Sequence, residues 1–170
     1  IPSLLAAIFS GGYFAQDYHF LVIGAAHRWV APFDYNNWLP WNQGANPIPT
    51  GHMMLYPGFH YLLFKLCSWL GLTDPAWKMV LVRVLHALWS LIVVRAGYRI
   101  ALKISSPAVA WRCGLFLALF FFMPFVSVRN LVEVVSIPPL MLSAWWLIRK
   151  GTDLPLKDVL IAGMFAGLAM

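Results

Sequence analysis

Asp17 stands at the end of an apolar run and opens a polar, aromatic-rich stretch, Gln16 to His52, in a sequence that is otherwise greasy. Charge beside hydrocarbon is costly to keep, so a carboxylate at that boundary is a functional-site candidate by default. A second candidate lies at Ser127 to Glu133, SVRNLVE, where Arg129 and Glu133 are four residues apart. On a helix these two share a face. They then form a local ion pair, or the glutamate holds an arginine whose planar fork is offered to a phosphate. Glu133 is the one glutamate among six acidic residues, which argues against casual placement.

From Asp17 to Val30 the sequence reads DYHFLVIGAAHRWV. Counted at about 100° per residue, Asp17, Gly24 and Arg28 fall on one stripe among apolar side chains. That is the pattern of a helix lying along a membrane surface with a narrow polar edge. Such an edge either faces water or aims a carboxylate and a cation into a shared cleft. From Ala31 to His52, Pro32, Pro40, Pro47 and Pro49 forbid continuous helix. Phe33, Tyr35, Trp38 and Trp41 interleave there with Asn36, Asn37, Asn42, Gln43 and Asn46. Flat aromatic faces with amide donors and acceptors suit a sugar. An aromatic belt at headgroup level explains the tryptophans equally well, but the five amides less well. Asp17, His19, His27 and His52 carry ligand chemistry, yet their spacing matches no metal motif, and each histidine reads as a satisfied polar side chain. His60 and His86, inside apolar runs, read as packed and neutral.

The elements that must position these residues are membrane helices. The chain is 61% hydrophobic and 11% charged, with a mean hydropathy of +0.74, whereas a soluble domain carries about 25% charged residues. The net charge of +6 does not make it a nucleic-acid binder. The basic residues sit between apolar runs, as topogenic loop charges do, and not along one phosphate-tracking face. Ile1 to Phe14 and Val159 to Met170 are both apolar and both short of the about 20 residues a crossing needs. The chain therefore reads as an N-proximal fragment of a larger membrane protein. Residues 1–16 close a first membrane helix and 159–170 begin a further one. The first run has no basic start or cleavage site to make it a secretory signal. Cys67 and Cys113 lie in apolar runs and read as core fillers.

Between those ends, residues 79–101, 114–128 and 134–148 are expected to span. Residues 17–72 are expected to form a large extracytoplasmic loop with interfacial helices. Met53 to Leu72 is assigned to the interface because Pro57, His60 and Lys65 suit a helix half-sunk in headgroups better than a bilayer centre. That assignment puts Arg95, Arg99, Lys103, Arg112, Arg149, Lys150 and Lys157 together opposite the Asp17 loop, on the cytoplasmic side that basic residues favour. It leaves Asp17, Arg129 and Glu133 on one membrane face.

An acid at the end of the first helix, a surface helix ending in AHRWV, then LYPGFHYLLFKL, RVLHALWSLIVV and VRNLVEVVSIPPLMLSAWWL resemble the GT-C glycosyltransferases. The nearest resemblance is to family 22, the polyprenyl-phosphate-mannose-dependent mannosyltransferases of the dolichol-oligosaccharide and GPI-anchor pathways and their bacterial relatives. It covers most of the chain. That family usually shows an acidic pair after a His-Pro at the first helix end; here Gln16-Asp17-Tyr18-His19 stands in that place, with one acid.

The resemblance implies an all-α, polytopic GT-C fold and an inverting transfer. Asp17 would be the general base on an acceptor hydroxyl that attacks the anomeric carbon of a polyprenyl-phosphate sugar, with mannose favoured. It implies donor-phosphate and substrate contacts at His19, His27, Arg28, Arg129, Asn130 and Glu133, with Arg129 or Arg28 stabilising the leaving lipid phosphate. The co-substrate is the lipid-phosphate sugar and the acceptor a glycan or glycolipid. No cofactor or metal is called for, and no nucleic acid is a partner. The site would face the outside or the lumen, in a bacterial plasma membrane by preference and an endoplasmic reticulum membrane otherwise.

Three rivals stand beside this reading: a GT-C enzyme moving arabinose or glucose, a transporter or flippase, and a structural membrane subunit. A transporter calls for polar or broken helices at mid-depth. Residues 79–101 and 114–128 offer little such polarity beyond Arg83, His86 and Arg95. A structural subunit leaves the Asn- and Trp-rich loop without a purpose.

Overall fold

A computed structural model describes residues 2–11, 19–30, 55–120 and 122–169. Every regular element among them is helical: α1 (Pro2–Phe9), a π-helical stretch (His19–Gly24), α2 (Ala25–Val30), α3 (Leu55–Trp69), α4 (Pro75–Ile104), α5 (Pro107–Leu119), α6 (Phe122–Ser127), α7 (Val132–Ile148) and α8 (Leu156–Leu168). The all-α expectation therefore holds for the described residues.

Helix starts follow local chemistry. Pro75 and Pro107 each open a helix, where a missing N–H costs nothing. The residue ahead of each caps it: Asp74 accepts from the Ala76 N–H at 2.8 Å, and Ser106 Oγ accepts from the Val109 N–H at 3.4 Å. Gly71, at φ +74°, turns the chain out of α3, with Leu72 N–H returning to the Cys67 carbonyl at 2.8 Å.

α4 is 30 residues long, about 45 Å at 1.5 Å per residue, and exceeds the roughly 30 Å hydrocarbon core of a bilayer. Its apolar window is only 22% buried, unlike the core helix of a soluble domain. It is the one described helix long and apolar enough to cross a membrane. α5 at 13 residues and α7 at 17 are apolar but shorter.

The chain divides into two compact units, Tyr13–Val82 and Ile1–Gly12 with Arg83–Met170. In the first, α2 packs on α3 around Ile23, Ala26, Phe64 and Val82. Pro57, His60, Phe64 and Cys67 form the buried face of α3. Leu55, Phe59, Leu62, Leu66 and Trp69, at helical spacing, stand exposed on another, with Trp69 82% exposed. An apolar stripe of that length on an element open to its surroundings marks a lipid or partner surface.

In the second unit, α1 packs on α6, and Ala7, Ala87 and Val128 close a small core. α7 and α8 form a hairpin through a turn in which Gly151 takes φ +72°. Its ends are tied by Arg149, which donates Nε to Asp158 Oδ2 at 3.1 Å and Nη2 to Oδ1 at 2.7 Å. The same guanidinium lies over the Trp146 ring at 3.4 Å, and Lys150 Nζ reaches Asp158 at 3.7 Å. α4 meets α5 at small residues: Cys113 Sγ lies 4.0 Å from the Gly97 carbonyl, and Gly114 sits against Tyr98.

The structure differs from the sequence reading in two places. The expected span at 114–128 is divided, with α5 ending at Leu119 and α6 beginning at Phe122. Pro124 has no N–H to give the Phe120 carbonyl, which takes the Met123 N–H at 2.9 Å instead, and Phe120 leaves helical geometry at ψ 116°. Over its described residues, the surface helix expected for Asp17 to Val30 is a π-helical stretch from His19 followed by α2. Its i→i+5 pairing departs from the 3.6-residue period over His19 to Gly24, whereas Ala25 to Arg28 lie in an α-helix that keeps it.

Candidate functional site

The structure describes part of the candidate site. Asp17 lies outside the described residues, as do Ala31 to His52 with their aromatic and amide side chains. His19 belongs to the π-helical stretch and Arg28 to α2 by their backbones. His27 is exposed, with its ring edge-on to Phe64 at 6.4 Å.

The segment between α6 and α7 is where the site takes shape. Ser127 Oγ donates back to the Pro124 carbonyl at 3.1 Å, and Val128 is buried in the core beside α1. Arg129 N–H returns to the Val126 carbonyl at 3.0 Å, and Leu131 N–H to the Arg129 carbonyl at 2.9 Å. This tight turn throws the Arg129 side chain toward the end of α1. There Nη1 donates to the Gly11 carbonyl at 3.0 Å while the guanidinium stacks on Phe125 at 4.7 Å.

Arg129 and Glu133 do not share one helix. Leu131 is extended, at φ −106° and ψ 121°, and α7 starts at Val132. The four-residue helical spacing is therefore interrupted after Arg129 and Asn130. Glu133 sits exposed in the first turn of α7, where the positive end of the helix dipole favours a carboxylate.

A residue to which the sequence reading gave no site role joins this group. Arg83, on α4, donates Nη1 to the Ser10 carbonyl. Two arginines 46 positions apart thus serve two consecutive carbonyls just past α1, the negative end of that helix dipole. The signal was legible: eleven residues separate Arg83 from the next arginine, and it lies in the apolar part of the run Met79 to Ala101, where a charge is costly unless it has a purpose. Ser10 carried no signal of its own, because its contribution is a backbone oxygen and every residue has one.

His60 is fully buried, with Nδ1 2.9 Å from the Tyr56 carbonyl and the Tyr56, Phe59 and Phe64 rings edge-on to it. His86 is 5% exposed. Cys67 and Cys113 are free thiols. Among the described residues, no three His, Cys, Asp or Glu side chains gather as metal ligands would. Compared with family models, curated proteins and solved structures, the chain finds no match in any of the three.

Proposed function

We propose that this chain carries the catalytic end of a polytopic membrane glycosyltransferase of GT-C type, moving a sugar, mannose by preference, from a polyprenyl-phosphate donor to a glycan or glycolipid acceptor. Asp17 is the general base, and Arg129, with Asn130 and Glu133 beside it in sequence, meets the donor phosphate. His19, His27 and Arg28 supply further substrate contacts. The enzyme is an integral membrane protein with its site on the extracytoplasmic or luminal face, in a bacterial plasma membrane by preference.

The observation that carries this reading is the Arg129–Gly11 hydrogen bond at 3.0 Å. It ties a guanidinium to the outgoing end of α1, six residues ahead of Asp17 in sequence. The chemistry asks for that economy. The leaving group is a lipid phosphate whose growing charge needs a cation, and the acceptor hydroxyl needs a base. A positioned base supplies about 10²–10⁴-fold in rate. The donor arrives activated, so the chain needs no nucleotide-binding loop. The exposed apolar stripe of α3 and the length of α4 support the membrane setting.

A transporter reading gains one observation, the interruption between α5 and α6, since broken helices line transport sites. The flanking side chains are Phe120 and Phe122, 37% and 47% exposed; they offer an ion or polar substrate no ligand. The deciding test incubates the intact protein with radiolabelled polyprenyl-phosphate sugars. Asp17→Asn is expected to lower transfer by about 10²–10⁴-fold with expression and insertion unchanged, and wild-type turnover in that variant removes Asp17 from the chemistry.

A further inference from the structure

Arg83 and Arg129 reach the end of α1 from different parts of the chain. Arg83 comes from α4, and its Nη1 donates to the Ser10 carbonyl. Arg129 comes from the turn ahead of α7, and its Nη1 donates to the Gly11 carbonyl at 3.0 Å. Consecutive residues are only about 3.8 Å apart along the backbone, so the two guanidiniums share one small patch. The carbonyls meet them with dipoles, equivalent to about half an elementary charge at a helix end. The full positive charge of Arg83 exceeds that.

Two further atoms point the same way. Arg83 Nε and Ser10 Oγ are shielded from solvent, and neither has a hydrogen-bond partner. Arg83 also makes no ion pair among the described residues, where the carboxylate partner of both ion pairs is Asp158. A shielded guanidinium nitrogen without an acceptor carries a desolvation cost, and an anion with several oxygens relieves it. Phosphate fits best: it accepts from a guanidinium fork through two oxygens and from a serine hydroxyl through a third.

We propose that Arg83 is a phosphate-binding residue, forming with Arg129 and the Ser10 hydroxyl a two-guanidinium cradle for a phosphate group carried on a lipid or free in solution. The cradle rests on the transfer reading only for what the phosphate is for; its existence stands on the contacts above. Binding by two arginines holds a doubly charged phosphate more firmly than a singly charged diester, so a lipid phosphate released after transfer is favoured over its sugar-bearing precursor.

The test uses the intact protein in lipid nanodiscs and three sugar-free probes: a short-chain polyprenyl phosphate, inorganic phosphate and the matching neutral polyprenol. Wild-type protein is expected to bind the polyprenyl phosphate and not the polyprenol. Arg83→Gln is expected to weaken that binding by about ten- to a hundred-fold, with Arg83→Lys between them. Inorganic phosphate that competes for the site shows that the free ion is also taken; inorganic phosphate that fails while the lipid phosphate binds assigns the site to a membrane-borne headgroup. Equal affinity in wild type and Arg83→Gln, or equal binding of phosphate and polyprenol probes, overturns the proposal.

If Arg83→Gln does not fold, dicarbonyl labelling of wild-type arginines decides. Labelling of Arg83 falls when polyprenyl phosphate is added, and unchanged labelling overturns the cradle. Because the probes carry no sugar, failure of sugar transfer leaves this result untouched, and failure of phosphate binding does not depend on Asp17.

Discussion

Trp89 donates its indole N–H to the main-chain carbonyl of Val135 at 2.9 Å, from one helix to another 46 residues on. That carbonyl needs a donor because Pro139, four residues later and buried inside α7, has no N–H to give it. Prolines in apolar helices are tolerated where a neighbour satisfies the freed backbone group. α7 keeps its course through Pro138 and Pro139 with α4 supplying that donor.

Trp89→Phe keeps the ring and removes the N–H, so the Val135 carbonyl is left without its donor. The expected cost is about 1–3 kcal/mol of unfolding free energy. Pro139→Ala restores a backbone N–H in α7. Chemical unfolding of the two single variants and the double variant in micelles measures the coupling. The Trp89→Phe penalty is expected to shrink in the Pro139→Ala background; an equal penalty in both backgrounds severs the link between the indole and the proline.

Asp158 gives the hairpin end a pH dependence of known sign. Hydrogen bonds from Arg149 outweigh burial and hold its carboxyl below the usual carboxylate value, with the Arg149 and Lys150 charges adding to the effect. A depressed folded value means that the unfolded chain binds the proton more readily. Stability is therefore full above the ordinary value of 3.8 and is lost as pH falls through the lower folded value. Asp158→Asn is expected to unfold at a lower temperature than wild type at neutral pH. The gap should narrow as pH drops below 3.8, and a gap that stays constant with pH disproves the linkage.

Arg129→Ala separates phosphate contact from scaffolding. In sugar-transfer assays with the intact protein, loss of a phosphate contact appears in the dependence on donor concentration more than on acceptor concentration. A charged hydrogen bond lost there is expected to cost about 1.5–3 kcal/mol, or roughly ten- to a hundred-fold in kcat/KM for the donor. Equal losses for donor and acceptor assign Arg129 to holding the α1 end in place.

The parts of this fold that were legible in the sequence are those written in local chemistry. Hydropathy found the apolar stretches that became α4 and α7. The Asp74-Pro75 and Ser106-Pro107 pairs carry the start signals of α4 and α5 four to seven residues ahead of the apolar windows, because a window averages over a cap that polar residues supply. The break after Leu119 escaped because a proline does its damage four residues upstream, at the Phe120 carbonyl. The π-helical stretch escaped because counting faces presumes one period throughout. Of the candidate site, Arg129 was legible only as the cation of SVRNLVE. Its partner oxygen was not, nor was the convergence with Arg83, since both arginines end on backbone carbonyls that leave no trace in residue identity.

Gly97 tests how closely α4 approaches its neighbours. A Cβ placed there runs into Leu117 Cδ1 and lies 3.5 Å from Met141 Cε. The first contact is a clash, but with the free end of a leucine that can rotate. Alanine also gains about 0.8–1.0 kcal/mol of helix propensity over glycine. Those effects offset, and Gly97→Ala is expected to change stability by less than about 1 kcal/mol. Gly97→Leu has no such escape, with the Leu117 and Met141 side chains both in its path. Overpacking of this kind costs about 1–3 kcal/mol, read as a lower midpoint in detergent-resistant unfolding. Gly97→Leu/Leu117→Ala opens the space and is expected to recover most of it. A Gly97→Leu protein as stable as wild type means that α4 and α5 separate at this level without cost, and that small residues do not set their distance.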